Sequence, residues 1–239
     1  MKKLFFTLIV TAGFVACKKN STDAPVTALS AAAKLKTQAF SNSIDTYSYD
    51  AQGRVTLQTH SDGSKTEYEY LSGIVNEKVY NTAGVYQRTY KYELNADGLA
   101  NRETNTSNPG YEDLRLYNAD KTLAKVITNS NGNGDTRDYF YSNGNCDSIR
   151  ITGNNGSWQS TIVNTYYADK VNTLSYENYG YGFFGKDNKN LMKGQVYNFS
   201  DGSTNTPAGY TYEFDAQGRV IKQTTVAGNN QTIGLFTYY

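Results

Sequence analysis

Tyr49-Asp50-Ala51-Gln52-Gly53-Arg54-Val55 returns near the other end of the chain as Phe214-Asp215-Ala216-Gln217-Gly218-Arg219-Val220. Two copies of D-A-Q-G-R-V, each led by an aromatic residue, mark a repeated building block, and the repeat governs the fold. Within the block the aspartate side chain can cap a turn. The glycine three positions later takes a positive φ at little steric cost. Together they suit a type I turn with a bulge, a common hairpin connection. Asn81-Thr82-Ala83-Gly84 and Asn95-Ala96-Asp97-Gly98 fit the same template. A second set of turns alternates with the first: Ser61-Asp62-Gly63-Ser64, Asn131-Gly132-Asn133-Gly134, Asn154-Asn155-Gly156 and Ser200-Asp201-Gly202-Ser203. Turns recur roughly every 11–13 residues, the spacing of an all-β meander.

Between the turns, aromatics stand two apart, as in Tyr47 and Tyr49, Tyr68 and Tyr70, Tyr90 and Tyr92, Tyr139 and Tyr141, and Tyr210, Tyr212 and Phe214. Period two places each set on one face of a strand, and the mostly polar residues between them define a wet opposite face. The aromatics just before the turn, Tyr49, Tyr70, Tyr92, Tyr117, Tyr141 and Tyr167, are 21 to 26 residues apart; a gap of 47 to Phe214 reads as two periods. Each repeat is then one hairpin of about 23 residues, pairing edge to edge with the next. No apolar stripe of period 3.6 runs through this region, so helical architectures are set aside. The expected fold is all-β: an up-and-down antiparallel meander of about 14–16 strands, forming a large twisted sheet that curls toward a partial barrel.

The N-terminus has its own logic. Lys2 and Lys3 precede the apolar run Leu4 to Val10, and Phe14-Val15-Ala16-Cys17 ends it with small residues and a cysteine. The run is too short to span a bilayer and reads as a secretory signal. Its ending resembles the lipobox of bacterial lipoproteins, which implies removal of residues 1–16 and lipidation of Cys17. Residues 17–43, rich in Ser, Thr, Ala and Lys, are expected to be a flexible tether, and residues 44–239 the β domain. Without Lys2 and Lys3 the 23 basic residues fall to 21 against 22 acidic ones. A near-neutral chain with no basic run has no nucleic-acid footprint. With Cys17 lipidated, Cys146 stands alone and no internal disulfide can form.

Tyr212-Glu213-Phe214-Asp215 through Val220 resembles the YD or RHS repeat, a hairpin unit of bacterial cell-surface proteins and toxin shells. Joined to the lipobox and to Lys189-Asn190-Leu191-Met192-Lys193, it resembles a family of Bacteroidota lipoproteins of unknown function over residues 44–239. The resemblance implies a cell-envelope location on the outer membrane, held by the lipid, with the face of that membrane open. It carries no activity from residue to residue.

Residues 176–193 break the rhythm, with Tyr176, Tyr179, Tyr181, Phe183 and Phe184 among Gly180, Gly182 and Gly185. One reading is a loop that covers the apolar face of the sheet. The other is a stacking platform for a sugar ring, in which Tyr179, Tyr181, Phe183 and Phe184 would contact a ligand together with Trp158. Trp158 alone reads as a core or cross-strand aromatic. His60, the one histidine, is placed in an exposed turn, so neither a histidine triad nor a multi-histidine metal site can be assembled. Cys146 reads as an inert buried thiol. Asp50, Asp97, Asp120 and Asp215 read as turn residues, neither a glycosidase carboxylate pair nor a calcium loop. The expectation is a monomeric, non-enzymatic envelope protein with no cofactor and no metal. Its role would be structural or in binding another envelope protein, with glycan binding as the alternative. Arg54 and Arg219, which the turn does not require, are expected to face solvent and pair with an acidic residue or a tyrosine.

Overall fold

The computed structural model describes residues 33–41 and 43–239. Sixteen strands follow one another: β1 (Leu35–Phe40), β2 (Ser43–Tyr49), β3 (Val55–His60), β4 (Lys65–Leu71), β5 (Ile74–Tyr80), β6 (Tyr86–Leu94), β7 (Ala100–Asn105) and β8 (Asn108–Tyr117). The second half comprises β9 (Leu123–Ser130), β10 (Asp135–Ser142), β11 (Asn145–Gly153), β12 (Trp158–Val171), β13 (Asn190–Phe199), β14 (Ala208–Phe214), β15 (Val220–Ala227) and β16 (Asn230–Tyr238). Each strand pairs antiparallel with its neighbours in sequence, and β1 pairs with β16, so the meander closes into a barrel. Closure goes beyond the partial curl expected from the sequence, and it removes both sheet edges.

The repeated motif forms a self-contained turn. Asp50 Oδ1 accepts the backbone N–H groups of Gln52 (3.0 Å) and Arg54 (2.9 Å), while Oδ2 accepts Arg54 Nε at 2.7 Å. Asp215 treats Gln217 and Arg219 in the same way. Gly53 and Gly218 adopt φ of +73° and +76°. The register shifts at Tyr49↔Val55 and Phe214↔Val220, which is the bulge. The arginines thus find their acidic partner inside the motif itself. Their guanidinium planes also lie over Tyr70 (4.2 Å) and Tyr238 (4.7 Å). Asn81 and Asn95 cap their turns with the same pair of bonds, and Lys121 takes the glycine's left-handed place at φ +74°.

The valine of the motif supplies the core. Val55 and Val220 open odd-numbered strands, and so do Leu35, Val75, Ala100, Cys146 and Leu191, each at or next to its strand's first residue. All seven are at most 5% exposed and form an apolar ring at one end of the barrel. Burying a side chain of this size stabilises the fold by about 1.5–3 kcal/mol. Over the ring lie tyrosines from the ends of even-numbered strands, and in three of them, those of β2, β8 and β16, the hydroxyl reaches back to a carbonyl of the preceding odd strand. Tyr49 donates to Leu35 O (2.7 Å), Tyr117 to Ala100 O (2.9 Å) and Tyr238 to Val220 O (2.9 Å).

Three boundaries differ from the sequence reading. The β domain begins at Leu35 rather than at residue 44. Leu35 is fully buried and Leu35–Phe40 is the strand that closes the barrel, so the last part of the expected tether is structural. A short mixed segment carries no alternation of its own; its partners β2 and β16 order it. Second, the gap from Tyr167 to Phe214 holds one period, not two, because β12 and β13 are joined by the long connection 172–189. Third, that connection ends at Asn190, where β13 starts, so residues 190–193 belong to the sheet. Cys17 and the signal segment lie outside the described residues.

Candidate functional site

The connection 172–189 folds back across the ringed end of the barrel and touches its rim from one side to the other. It contains a single helical turn, Tyr176–Tyr179, and a 3-10 turn, Gly182–Phe184. Val55 N–H donates to Gly180 O and Val220 N–H to Thr173 Oγ1, so the valine amides of both motif copies are taken up by this segment. Lys186 and Lys189 N–H bond Lys121 O and Gly144 O, and Asn178 Nδ2 reaches Ala33 O. Gly180, at φ +79°, sits so close that a Cβ there would lie 2.6 Å from Val55 N. Only glycine fits that approach.

Four of its aromatics point into the barrel, while Tyr176 stays 39% exposed. Tyr179 packs edge-on against Tyr47, with ring centroids 5.6 Å apart, and Tyr181 lies against Tyr68 at 5.5 Å. Phe183, 7% exposed, and Phe184 both sit 5.3 Å from Tyr92. The hydroxyl of Tyr179 donates to Gln38, and that of Tyr181 to Gln58 Oε1 at 3.1 Å. The segment is therefore a plug, and its rings are core cover rather than an open platform. Trp158 is nowhere near it. It begins β12 at the opposite end, beside a bulge, is 39% exposed, and its indole N–H bonds Thr161 Oγ1 on the strand's less buried face. The five aromatics read together from the sequence thus form no common groove, and Trp158 is not a core residue.

Beyond the plug the interior turns polar. A cavity of about 740 Å³ opens toward the end opposite the plug along β3 to β8, with Glu77, Arg88, Tyr90, Glu103, Asn105 and Tyr111 in its wall. Tyr92 OH donates to Glu77 Oε2 at 2.7 Å. Arg115 pairs with Glu103 at 2.5 Å and with Asp113 at 3.4 Å while lying over the rings of Phe184 and Tyr92. Burial pushes the Glu77 carboxyl above the ordinary carboxylate range, and the neighbouring Glu103 adds to the rise against the Tyr92 hydrogen bond. Arg88 Nε, Arg115 Nη1 and Asp113 Oδ1 are buried and have no partner among the described residues.

His60 belongs to this cavity too, which corrects its placement in an exposed turn. It is the last residue of β3 and lines the cavity, with its Nδ1 2.7 Å from Asp45 Oδ1. Cys146 occupies the motif's valine position in the apolar ring, where burial pushes its thiol up to about 11. The charged wall itself was not picked out from the sequence. The signal was present: Arg88 shares the strand face of Tyr90 and Tyr92, and Arg115 that of Tyr117, so charges stand at the parity of the inward aromatics.

No protein-family model matches the sequence, and no curated protein matches it either. Fold comparison gives a clear answer, that of a closed all-β barrel. A porin-like protein from Bacteroides uniformis ATCC 8492 superposes with a TM-score of 0.60 at 19% identity, over 86% of this chain and 95% of that one. A porin-like protein from Bacteroides vulgatus ATCC 8482 gives 0.56 at 12% identity, over 86% and 99%. At these identities the likeness is one of architecture.

Proposed function

We propose that this chain is a non-enzymatic cell-envelope lipoprotein. Its signal segment 1–16 is removed, Cys17 carries the lipid, and a barrel of degenerate YD/RHS-like hairpins is held at the outer membrane without crossing it. Its role is structural or in partner binding, as a monomer. The observation that carries this reading is the outer face of the barrel. Successive strands there bear charged pairs: Glu69 with Lys78 (3.0 Å), Lys91 with Glu93 (2.9 Å), Arg102 with Glu93 (3.4 Å) and Lys125 with Asp138 (2.9 Å). A barrel set in lipid would place such groups against hydrocarbon, where each Lys or Arg costs about 2–4 kcal/mol at the midplane. An ion-pair ladder suits water. The porin-like neighbours suggest a conduit, but here one end is filled by Tyr179, Tyr181, Phe183 and Phe184, which argues against a through-pore. A diacylated cysteine supplies the membrane affinity that the barrel surface does not.

The test compares the full chain with Cys17→Ala in cells fed a labelled fatty acid. The wild-type protein should take up label and fractionate with membranes, resisting carbonate, while the variant should be unlabelled and released in soluble form. Unlabelled wild-type protein, or a variant that stays embedded after carbonate extraction, would overturn the reading.

A further inference from the structure

The outer wall of the barrel has two characters. Its ladder of ion pairs runs from β4, with Lys65 and Glu67, to β10, where Asp138 meets Lys125. On the other side of the molecule, around the seam where β16 meets β1, that ladder stops. Buried Phe236 and Tyr47 fix which residues point inward there, and the alternate positions point out. Leu235 pairs with Ala39 and Ala39 with Ile44, which makes one apolar row across β16, β1 and β2. Ile233 stands two residues along from Leu235, and Val226 of β15 lies diagonally beside it. Ile44, Val226, Ile233 and Leu235 are each 41 to 51% exposed. A second row, toward the plug, consists of Thr237, Thr37, Thr46 and Thr59, with the first two hydroxyls 2.6 Å apart. At the margins stand Lys222, bound to Glu213 at 2.7 Å, and Lys36, whose ammonium lies 5.5 Å over the ring of Tyr239.

The composition of this face narrows its partner. A closed barrel offers no free edge for a strand to join. Protein docking sites centre on Trp, Tyr and Arg, whereas Leu, Thr and Val are under-represented among their anchors. Four half-exposed aliphatic side chains also fall short of the roughly 800 Å² per partner that a stable protein interface buries. Uncharged aliphatic groups and hydroxyls do fit the boundary between lipid headgroups and acyl chains, and a lysine or tyrosine at the margin suits the headgroup level.

Position points the same way. The N-terminal part of the chain joins the barrel at β1, which lies between β16 and β2 in the middle of this face. Residues 18–32 can span at most roughly 50 Å, about twice the length of a seven-residue strand. An attachment at residue 17 therefore leaves the barrel room to lie on its side. Tethering makes the encounter intramolecular, so a contact too weak to hold the free barrel becomes occupied.

We infer that the outer face of β15, β16, β1 and β2 is a lipid-facing surface: the tethered barrel lies on its side, with Ile44, Ile233 and Leu235 against the bilayer and the ion-pair ladder turned to water. The inference rests on the reading that residue 17 is held at a membrane.

The experiment supplies that attachment chemically. The mature chain, 17–239, is coupled through Cys17 to a maleimide-bearing lipid in vesicles of phosphatidylethanolamine and phosphatidylcholine; Cys146 is buried and so protected from the reagent. Trp158→Phe removes the one native tryptophan. Single tryptophans are then introduced by Ile44→Trp and Leu235→Trp on the face, and by Ile127→Trp on the charged side. Quenching by lipids brominated in the acyl chain should be about threefold or more stronger at positions 44 and 235 than at 127. Ile44→Asp, added to the Leu235→Trp protein, should bring quenching down to the level at 127. Ile233→Trp replaces either face probe if circular dichroism shows that one unfolded. Equal quenching at all positions, stronger quenching at 127, or face probes shielded by a second copy instead of lipid would overturn the inference. Fatty-acid labelling in cells reads out natural lipidation separately, so failure of that reading and failure of this one are distinguishable.

Discussion

Asp215 shows how much one side chain does in this fold. Against the push of burial, the bonds from Arg219 and Gln217 hold its carboxyl below the ordinary carboxylate range. The same aspartate organises a turn, a bulge and an arginine. Asp215→Ala should remove that cap and destabilise the protein by about 1–2 kcal/mol in urea melts. Asp215→Asn should cost much less, because Asn81 and Asn95 already cap equivalent turns. Equal losses for the two variants would show that charge, not capping geometry, is what matters. The turn chemistry of Asp and Gly was legible in the sequence because it is local. The role of Val55 and Val220 was not, since a buried ring is assembled from seven strands and no single repeat displays it.

At the scale of elements, β1 and the plug carry the lesson. Alternating aromatics made β2, β4 and β6 readable, whereas Leu35–Phe40 offers no such alternation and is defined by pairing with both β2 and β16. A chain starting at residue 33 should therefore fold and stay monomeric. One starting at residue 44 should lose β1, expose the edges of β2 and β16, and aggregate. Size-exclusion chromatography and circular dichroism of the two truncations decide this, and a soluble, monomeric, thermally cooperative shorter chain would contradict it. The plug was recognisable as a break in the rhythm, and cover was one of its two readings. Its depth was not readable, because the contacts of Tyr179 with Tyr47 and of Phe183 with Tyr92 join residues far apart in sequence.

The whole molecule is a tyrosine-filled barrel, and that sets its response to alkali. Burial holds the Tyr117 phenol up to about 12 and raises those of Tyr47, Tyr92 and Tyr181 as well. In the unfolded chain these groups lose their protons near pH 10. Above that pH the native state therefore binds more protons than the unfolded state, and stability must fall as pH rises. The melting temperature should be steady below pH 9 and drop steeply from pH 10 to 12. Absorbance at 295 nm should show much of the tyrosine ionising only as the protein unfolds. Full phenol ionisation near pH 10 in a folded protein would refute this. Closure of the sheet was the global feature the sequence left open: hairpins report their neighbours, but only the pairing of β1 with β16 says that the last meets the first.

The chain enters the barrel at Ala33, whose carbonyl is bound by Asn178 of the plug, and Tyr239 N–H bonds Lys34 O at that same end. The stoppered rim is therefore also the rim from which the N-terminal stretch departs. Residue 33 thus joins the barrel at its sealed end, and the polar cavity opens at the other.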